Sequence, residues 1–73
     1  MSRLPVVSAR QLVKALHKVG YDVDHQSGSH IILRNKASRR ILSVPNHGEI
    51  ARGTLRSILQ QSGLEINEFL DIL

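Results

Sequence analysis

The feature that most constrains this chain is a change of hydrophobic period at Gly20. Before it, Leu12, Ala15, Leu16 and Val19 recur at i, i+3, i+4 and i+7, while Arg10, Lys14, His17 and Lys18 lie largely off that stripe. That spacing predicts an amphipathic helix over about residues 9–19. After Gly20, Tyr21, Val23 and His25 alternate with Asp22, Asp24 and Gln26, the period of a strand with one covered face. A glycine at the junction supplies the left-handed residue that ends the helix.

Local signals fix the ends of the remaining elements. Ser8 followed by Gln11 is a capping box, with Val7 and Leu12 as its hydrophobic staple. Ser27-Gly28-Ser29 is a turn, so residues 30–34 return as a second strand with Ile31 and Leu33 on one face and His30, Ile32 and Arg34 on the other. A polar turn over residues 35–40 leads to a third strand, Ile41-Leu42-Ser43-Val44, closed by Pro45. Beyond the loop Asn46-His47-Gly48-Glu49, Thr54 is the expected cap of a helix over residues 55–62, which Gly63 ends; Leu64, Ile66, Phe69, Leu70 and Leu73 then suggest a short terminal helix. The order α-β-β-β-α, with an extra short helix, predicts a two-layer α+β fold: a three-stranded antiparallel sheet with its helices on one face. At 73 residues, the expectation is a single domain over 1–73.

The hairpin between the first two strands is a question of parity. A two-residue loop, read as setting Val23 opposite Ile32, would put Asp24 on the apolar face of Ile31 and Leu33, burying a carboxylate. A three-residue loop, Ser27-Gly28-Ser29, avoids this by pairing Gln26 with His30, Asp24 with Ile32 and Asp22 with Arg34. It predicts an Asp22–Arg34 ion pair on the open face and His25 on the core face. Aligning the apolar faces of strands two and three sets Leu33 opposite Leu42, Ile31 opposite Val44 and His30 opposite Pro45, at the sheet end from which the His47 loop departs.

Charge narrows the function classes. Ten basic residues against six acidic ones give +4, and the excess is uneven. Residues 1–58 hold all ten cations and three acids, net +7, whereas residues 59–73 hold Glu65, Glu68 and Asp71, net −3. A cationic body suits a polyanion such as nucleic acid, although a solvated surface would have the same composition. No cysteine is present, which excludes disulfides, thiolate metal sites and a cysteine nucleophile. The four histidines, at 17, 25, 30 and 47, match no zinc spacing, so no metal or other cofactor is expected. Apolar runs such as Leu4-Pro5-Val6-Val7 are far too short for a membrane span or signal peptide. A soluble, cytoplasmic protein with no membrane contact is therefore expected.

An imidazole among arginines on an open sheet face is suited to cleaving a phosphodiester. The reaction needs proton transfer near neutral pH and stabilisation of charge growing on phosphate oxygens. His30 and Arg34 meet that description. In order and spacing, Gly28-Ser29-His30, Val44-Pro45-Asn46-His47-Gly48 and Gly53-Thr54-Leu55-Arg56 resemble the HicA-type toxins, the YcfA-like mRNA interferases of bacteria and archaea. The likeness runs from the first helix through Gly63 to the Phe69 region.

The resemblance implies a fold like the double-stranded-RNA-binding domain, and a metal-independent endoribonuclease that cleaves mRNA with its catalytic histidine at His30. It also implies a HicB-type antitoxin that masks the site and usually supplies the DNA binding, so this chain alone is not expected to contact DNA. One departure is Glu65, where the family often has a polar N-cap, which suggests a frayed last helix.

Each residue also has a plainer reading. His47 is either a second catalytic group or phosphate contact, or ordinary loop surface. His25 reads as a partly buried core histidine and His17 as helix surface. Gly28 and Ser29 read as the turn that positions His30, since no Walker pattern or serine triad accompanies them. Arg34, Arg39, Arg40, Arg52 and Arg56, with Lys14, Lys18 and Lys36, are candidate RNA contacts, and a solvated face is the alternative for each. With only Tyr21 and Phe69 as aromatics, both in apolar patterns, base stacking has little to work with, and weak sequence preference for single-stranded RNA follows. Two further functions stay open: a non-catalytic RNA-binding module using the same basic face, and a purely structural half of a protein complex.

Overall fold

A computed structural model describes residues 4–73. The elements are α1 (Ala9–Lys18), β1 (Tyr21–Ser27), β2 (His30–Asn35), β3 (Ile41–Pro45), α2 (Arg52–Ser62) and α3 (Ile66–Ile72). The strands form one antiparallel sheet in the order β1-β2-β3. Helix α1 packs on β1 and β3, α2 on β3 and α3 on α1. This is the α+β architecture expected from the change of period.

The start of α1 follows from its own sequence. The Ser8 side chain accepts from the Gln11 amide at 3.1 Å, and the Gln11 side chain accepts from the Ser8 amide at 2.9 Å. Val7 and Leu12 are both buried beneath this cap, as a staple requires. Gly20, at φ 101°, turns the chain from α1 into β1. A Cβ there would lie 3.1 Å from Asn35 Nδ2, so the absence of a side chain also admits the Asn35 amide.

Asn35 is the one buried polar residue among those described. Its Oδ1 accepts from the amides of Ala37 and Ser38 at 3.0 and 3.1 Å, and its Nδ2 donates to the Val19 carbonyl at 3.3 Å. One side chain thus shapes the β2–β3 turn and ties it to the end of α1.

The core gathers Leu12 and Leu16 of α1, Tyr21, Leu33, Leu42 and Val44 of the sheet, Leu55, Ile58 and Leu59 of α2, and Phe69 of α3. Leu4, Val7 and Ile50, which no periodic pattern flagged, join it from the connecting segments. Burying an aliphatic or aromatic side chain of this kind is worth roughly 1.5–3 kcal/mol. Core burial rather than helix propensity therefore holds helices as short as α3 in place.

Two helix starts differ from expectation. Helix α2 begins at Arg52 with Ala51 as its N-cap, not at Thr54. Its entry is fixed by tertiary anchoring instead: the Ile50 amide donates to the Val7 carbonyl at 2.8 Å, and the Ile50 side chain is buried. The departure at Glu65 does not fray α3. The Glu68 carboxylate accepts from the Glu65 amide at 3.2 Å, while the Phe69 amide donates to the Glu65 carbonyl at 2.9 Å.

Candidate active site

With the helices on one face, the opposite face of the sheet is open. The β2–β3 register is the expected one: Leu33 pairs with Leu42, Ile31 with Val44 and His30 with Pro45. His30, Arg34, Ile41 and Ser43 are exposed there and Ile32 is half-buried.

The β1–β2 register corrects the expected hairpin. Asp22 does pair with Arg34, and Val23 with Leu33, but a bulge between Val23 and His25 then shifts the register by one. Beyond it His25 pairs with Ile32, Gln26 with Ile31 and Ser27 with His30, so the loop is the two-residue turn Gly28-Ser29. Asp24 is absorbed as the extra residue, which keeps its carboxylate out of the core without a three-residue loop. His25 is consequently exposed on the open face beside Ile32, not on the core face.

The bulge also redistributes the ion pairs. Asp22 and Arg34 are opposite each other at the backbone, yet their side chains part. Asp22 Oδ1 lies 2.9 Å from Nδ1 of His17, while Arg34 Nε lies 3.8 Å from Asp24 Oδ1. The other oxygen of Asp24 takes a hydrogen bond from His25 Nδ1 at 2.7 Å. That hydrogen bond, with the positive charge of Arg34, holds the Asp24 carboxyl below its usual range against a smaller opposing effect of desolvation.

Two loops meet at the His30 end of the sheet. Gly28, at φ 58°, makes the hairpin turn, and the Asn46 amide donates to the Ser29 carbonyl at 2.7 Å. His47 is held through its backbone: its amide donates to Pro45 and its carbonyl accepts from the Ala9 amide, both at 2.9 Å. His30 and His47 therefore belong to one end of the molecule, and both are exposed.

The basic candidates do not form a single patch. Arg34 lies on the open face. Arg39, at φ 62°, and Lys36 are exposed in the β2–β3 turn at the far end from His30. Arg40 is directed to the helical layer, where Nη1 donates to the Gln61 carbonyl at 3.1 Å near the end of α2. Arg52 Nε donates to the Leu4 carbonyl at 3.2 Å, and Lys18 Nζ to the Ile72 carbonyl at 2.7 Å. Lys14 borders an apolar groove between α1 and the first hairpin, floored by Val13, Val23 and Ile31, and Arg56 borders a groove at the end of α2. Tyr21 and Phe69 are buried, so neither is offered to a base.

A family model described as the HicA toxin of bacterial toxin–antitoxin systems matches residues 9–64, more than half of the chain. The chain belongs to the HicA toxin family. No curated protein matches it as a relative. Membership makes this a toxin with a cognate antitoxin as partner. The matched span covers α1, the whole sheet and α2, and so includes Gly28-Ser29-His30 and the Asn46-His47 loop of this HicA-family chain. Among the described residues, no three histidines or carboxylates come together as a metal site, and no helix is long and apolar enough to cross a membrane.

His25 is the residue that sequence reasoning misassigned. The signal that could have flagged it was Asp24-His25 read as a unit: an acidic residue interrupting an apolar face is a reason to consider a bulge.

Proposed function

We propose that this HicA-family toxin is a metal-independent endoribonuclease that cleaves mRNA in the cytoplasm, with His30 as its catalytic acid or base. The observation that carries the reading is an exposed His30 at the start of β2, on a helix-free sheet face that also carries Arg34. Single-stranded RNA can approach such a face without any part of the fold opening. Cleavage proceeds by attack of a ribose 2′-oxygen on the neighbouring phosphorus. His30 takes the 2′-hydroxyl proton or gives one to the departing 5′-oxygen, and Arg34 offsets charge on the phosphate.

Phosphate and 2′-hydroxyl contacts supply affinity, with weak sequence preference, because Tyr21 and Phe69 are both buried. His47 serves as a further phosphate contact at the same end, and the Gly28-Ser29 turn positions the site. The antitoxin is of the HicB type. It docks on the open face over Ile32 and the exposed Ile41 with an acidic segment, and so occludes His30.

The test is incubation of the purified protein with a long unstructured RNA, with and without EDTA, beside His30→Ala. Cleavage that survives EDTA and is lost in the variant, with RNA affinity retained, is the expected result. Salt-dependent binding without cleavage by the wild type would replace the nuclease with a non-catalytic RNA-binding module. Neither cleavage nor binding would leave a structural half of a complex.

A further inference from the structure

A phosphodiester cleaved through its own 2′-hydroxyl needs two proton transfers, one from the attacking oxygen and one to the leaving oxygen. The bulge at Asp24 supplies a second imidazole for them. Past it, His25 sits opposite Ile32, two residues along β2 from His30. On adjacent antiparallel strands that is the diagonal relationship, with backbones about 7–8 Å apart. Without the bulge, His25 would lie on the face covered by α1.

His25 is also held as a proton carrier needs to be. Its Nδ1 is 2.7 Å from Asp24 Oδ2, and Asp24 Oδ1 faces Arg34 Nε at 3.8 Å. A carboxylate can only accept, so Nδ1 carries the hydrogen and Nε2 remains for exchange with a substrate. The charged or titratable groups around His25 are Asp24 on its own strand and Arg34 and His30 on β2. The open-face residues of β3, Ile41, Ser43 and Pro45, contribute none, and the helices pack on the other face of the sheet. His47, by contrast, is fixed through its backbone in a loop.

We propose that His25 is the second proton carrier of the phosphodiester-cleaving centre, diagonal to His30 on the open face, with Asp24 as the positioning residue that fixes its tautomer. The proposal rests on the ribonuclease reading. One imidazole takes the 2′-hydroxyl proton as O2′ bonds to phosphorus. The bond from phosphorus to O5′ breaks, and O5′ takes a proton from the other imidazole in its protonated form. The products are a 2′,3′-cyclic phosphate end and a 5′-hydroxyl end, and exchange with water restores the two histidines.

The experiment measures cleavage of an unstructured RNA by the full chain as wild type, His25→Ala, His25→Gln, His30→Ala and Asp24→Asn, across pH. Circular dichroism serves as the folding check for each variant. His25→Ala and His25→Gln are expected to lose about 100-fold or more in rate, keep RNA affinity within about threefold, and lose one limb of a bell-shaped pH profile. Asp24→Asn is expected to lose less and keep both limbs, as a positioning residue should.

A substrate with sulfur in place of the leaving 5′-oxygen needs no proton on departure. It should restore cleavage to one of the two histidine variants and not to the other. Wild-type cleavage with both His25 variants within about threefold of it and both limbs intact overturns the proposal, as does any other pattern of rescue. Absence of cleavage by the wild type is a different failure, which removes the ribonuclease reading and the role of His25 together.

Discussion

The Asn46 amide donates to the Ser29 carbonyl at 2.7 Å, and this one bond joins the turn before His30 to the loop that carries His47. His30 is already paired with Pro45 at the end of the sheet, and this bond is a clamp that carries the connection beyond the ladder into the two loops. The Ala9 amide, bonded to the His47 carbonyl at 2.9 Å, extends the clamp to the start of α1. The end of the sheet that bears His30 is therefore braced by the helical layer beneath it. In native-state hydrogen exchange, the Asn46 amide is expected to be protected well beyond an ordinary loop amide. Exchange at the rate of a free loop would show that the clamp does not hold in solution.

At the opposite end, Gly63 closes α2 at φ 76°, and a Cβ on it would come within 2.8 Å of Arg40 Nη1. Gly63→Ala is expected to cost about 1 kcal/mol or more in urea unfolding, from left-handed strain together with displacement of Arg40. Adding Arg40→Ala should recover the displacement part and leave the backbone part. A fully additive double variant would show that the two residues do not interact.

Asp24 has a folded-state carboxyl held below its usual range, first by the His25 hydrogen bond and then by the charge of Arg34 and His25. A carboxylate with a lowered folded value contributes stability above its unfolded value, about pH 3.9. That contribution is lost as the pH falls through the folded value. A carbon-detected NMR titration should place the Asp24 midpoint below that of an ordinary aspartate. In His25→Ala the midpoint should move up, and an unmoved midpoint would mean the hydrogen bond is not formed in solution.

The basic residues are expected to divide by where their charged ends already point. Arg34→Ala should reduce the slope of log affinity for RNA against log salt by about one phosphate contact, roughly 0.7 for a single strand. Lys18→Ala should leave that slope unchanged, because the Lys18 ammonium is bonded to the Ile72 carbonyl at 2.7 Å; it should instead loosen α3. Equal effects of the two changes would argue for a diffuse cationic surface.

If the antitoxin covers the open face with an acidic segment, Arg34→Glu and Arg39→Glu should each weaken the complex, chiefly by slowing association, and should make it less dependent on salt. Calorimetric titration at two salt concentrations checks this. Unchanged affinity in both variants would move the docking surface off the sheet face.

Much of this fold is legible residue by residue, because its signals are local. Ser8 and Gln11 satisfy each other across three residues, Gly20 and Gly63 end helices through their own φ, and the faces of β2 and β3 align by simple alternation. Thr54 misled because it is the better cap by side chain, whereas α2 starts earlier, where the Ile50 amide is anchored to Val7. His30 could be placed on the open face because simple alternation along β2 puts it there. His25 could not, since one bulged residue reverses the face of everything after it in the strand.

By itself the sequence determined the order of elements, the cap of α1, the glycine stops of α1 and α2, the faces of β2 and β3, and His30 on the open side of the sheet. These follow from hydrogen bonds and side-chain periods within a few residues. Only the tertiary structure decided that His25 joins His30, that Arg34 turns from its backbone partner Asp22 to Asp24, and that Arg40, Arg52 and Lys18 are bonded to backbone carbonyls. Those outcomes depend on which strand absorbs an extra residue and on which carbonyls lie within reach of a long cationic side chain. Both are set when the layers pack, by contacts between residues far apart along the chain.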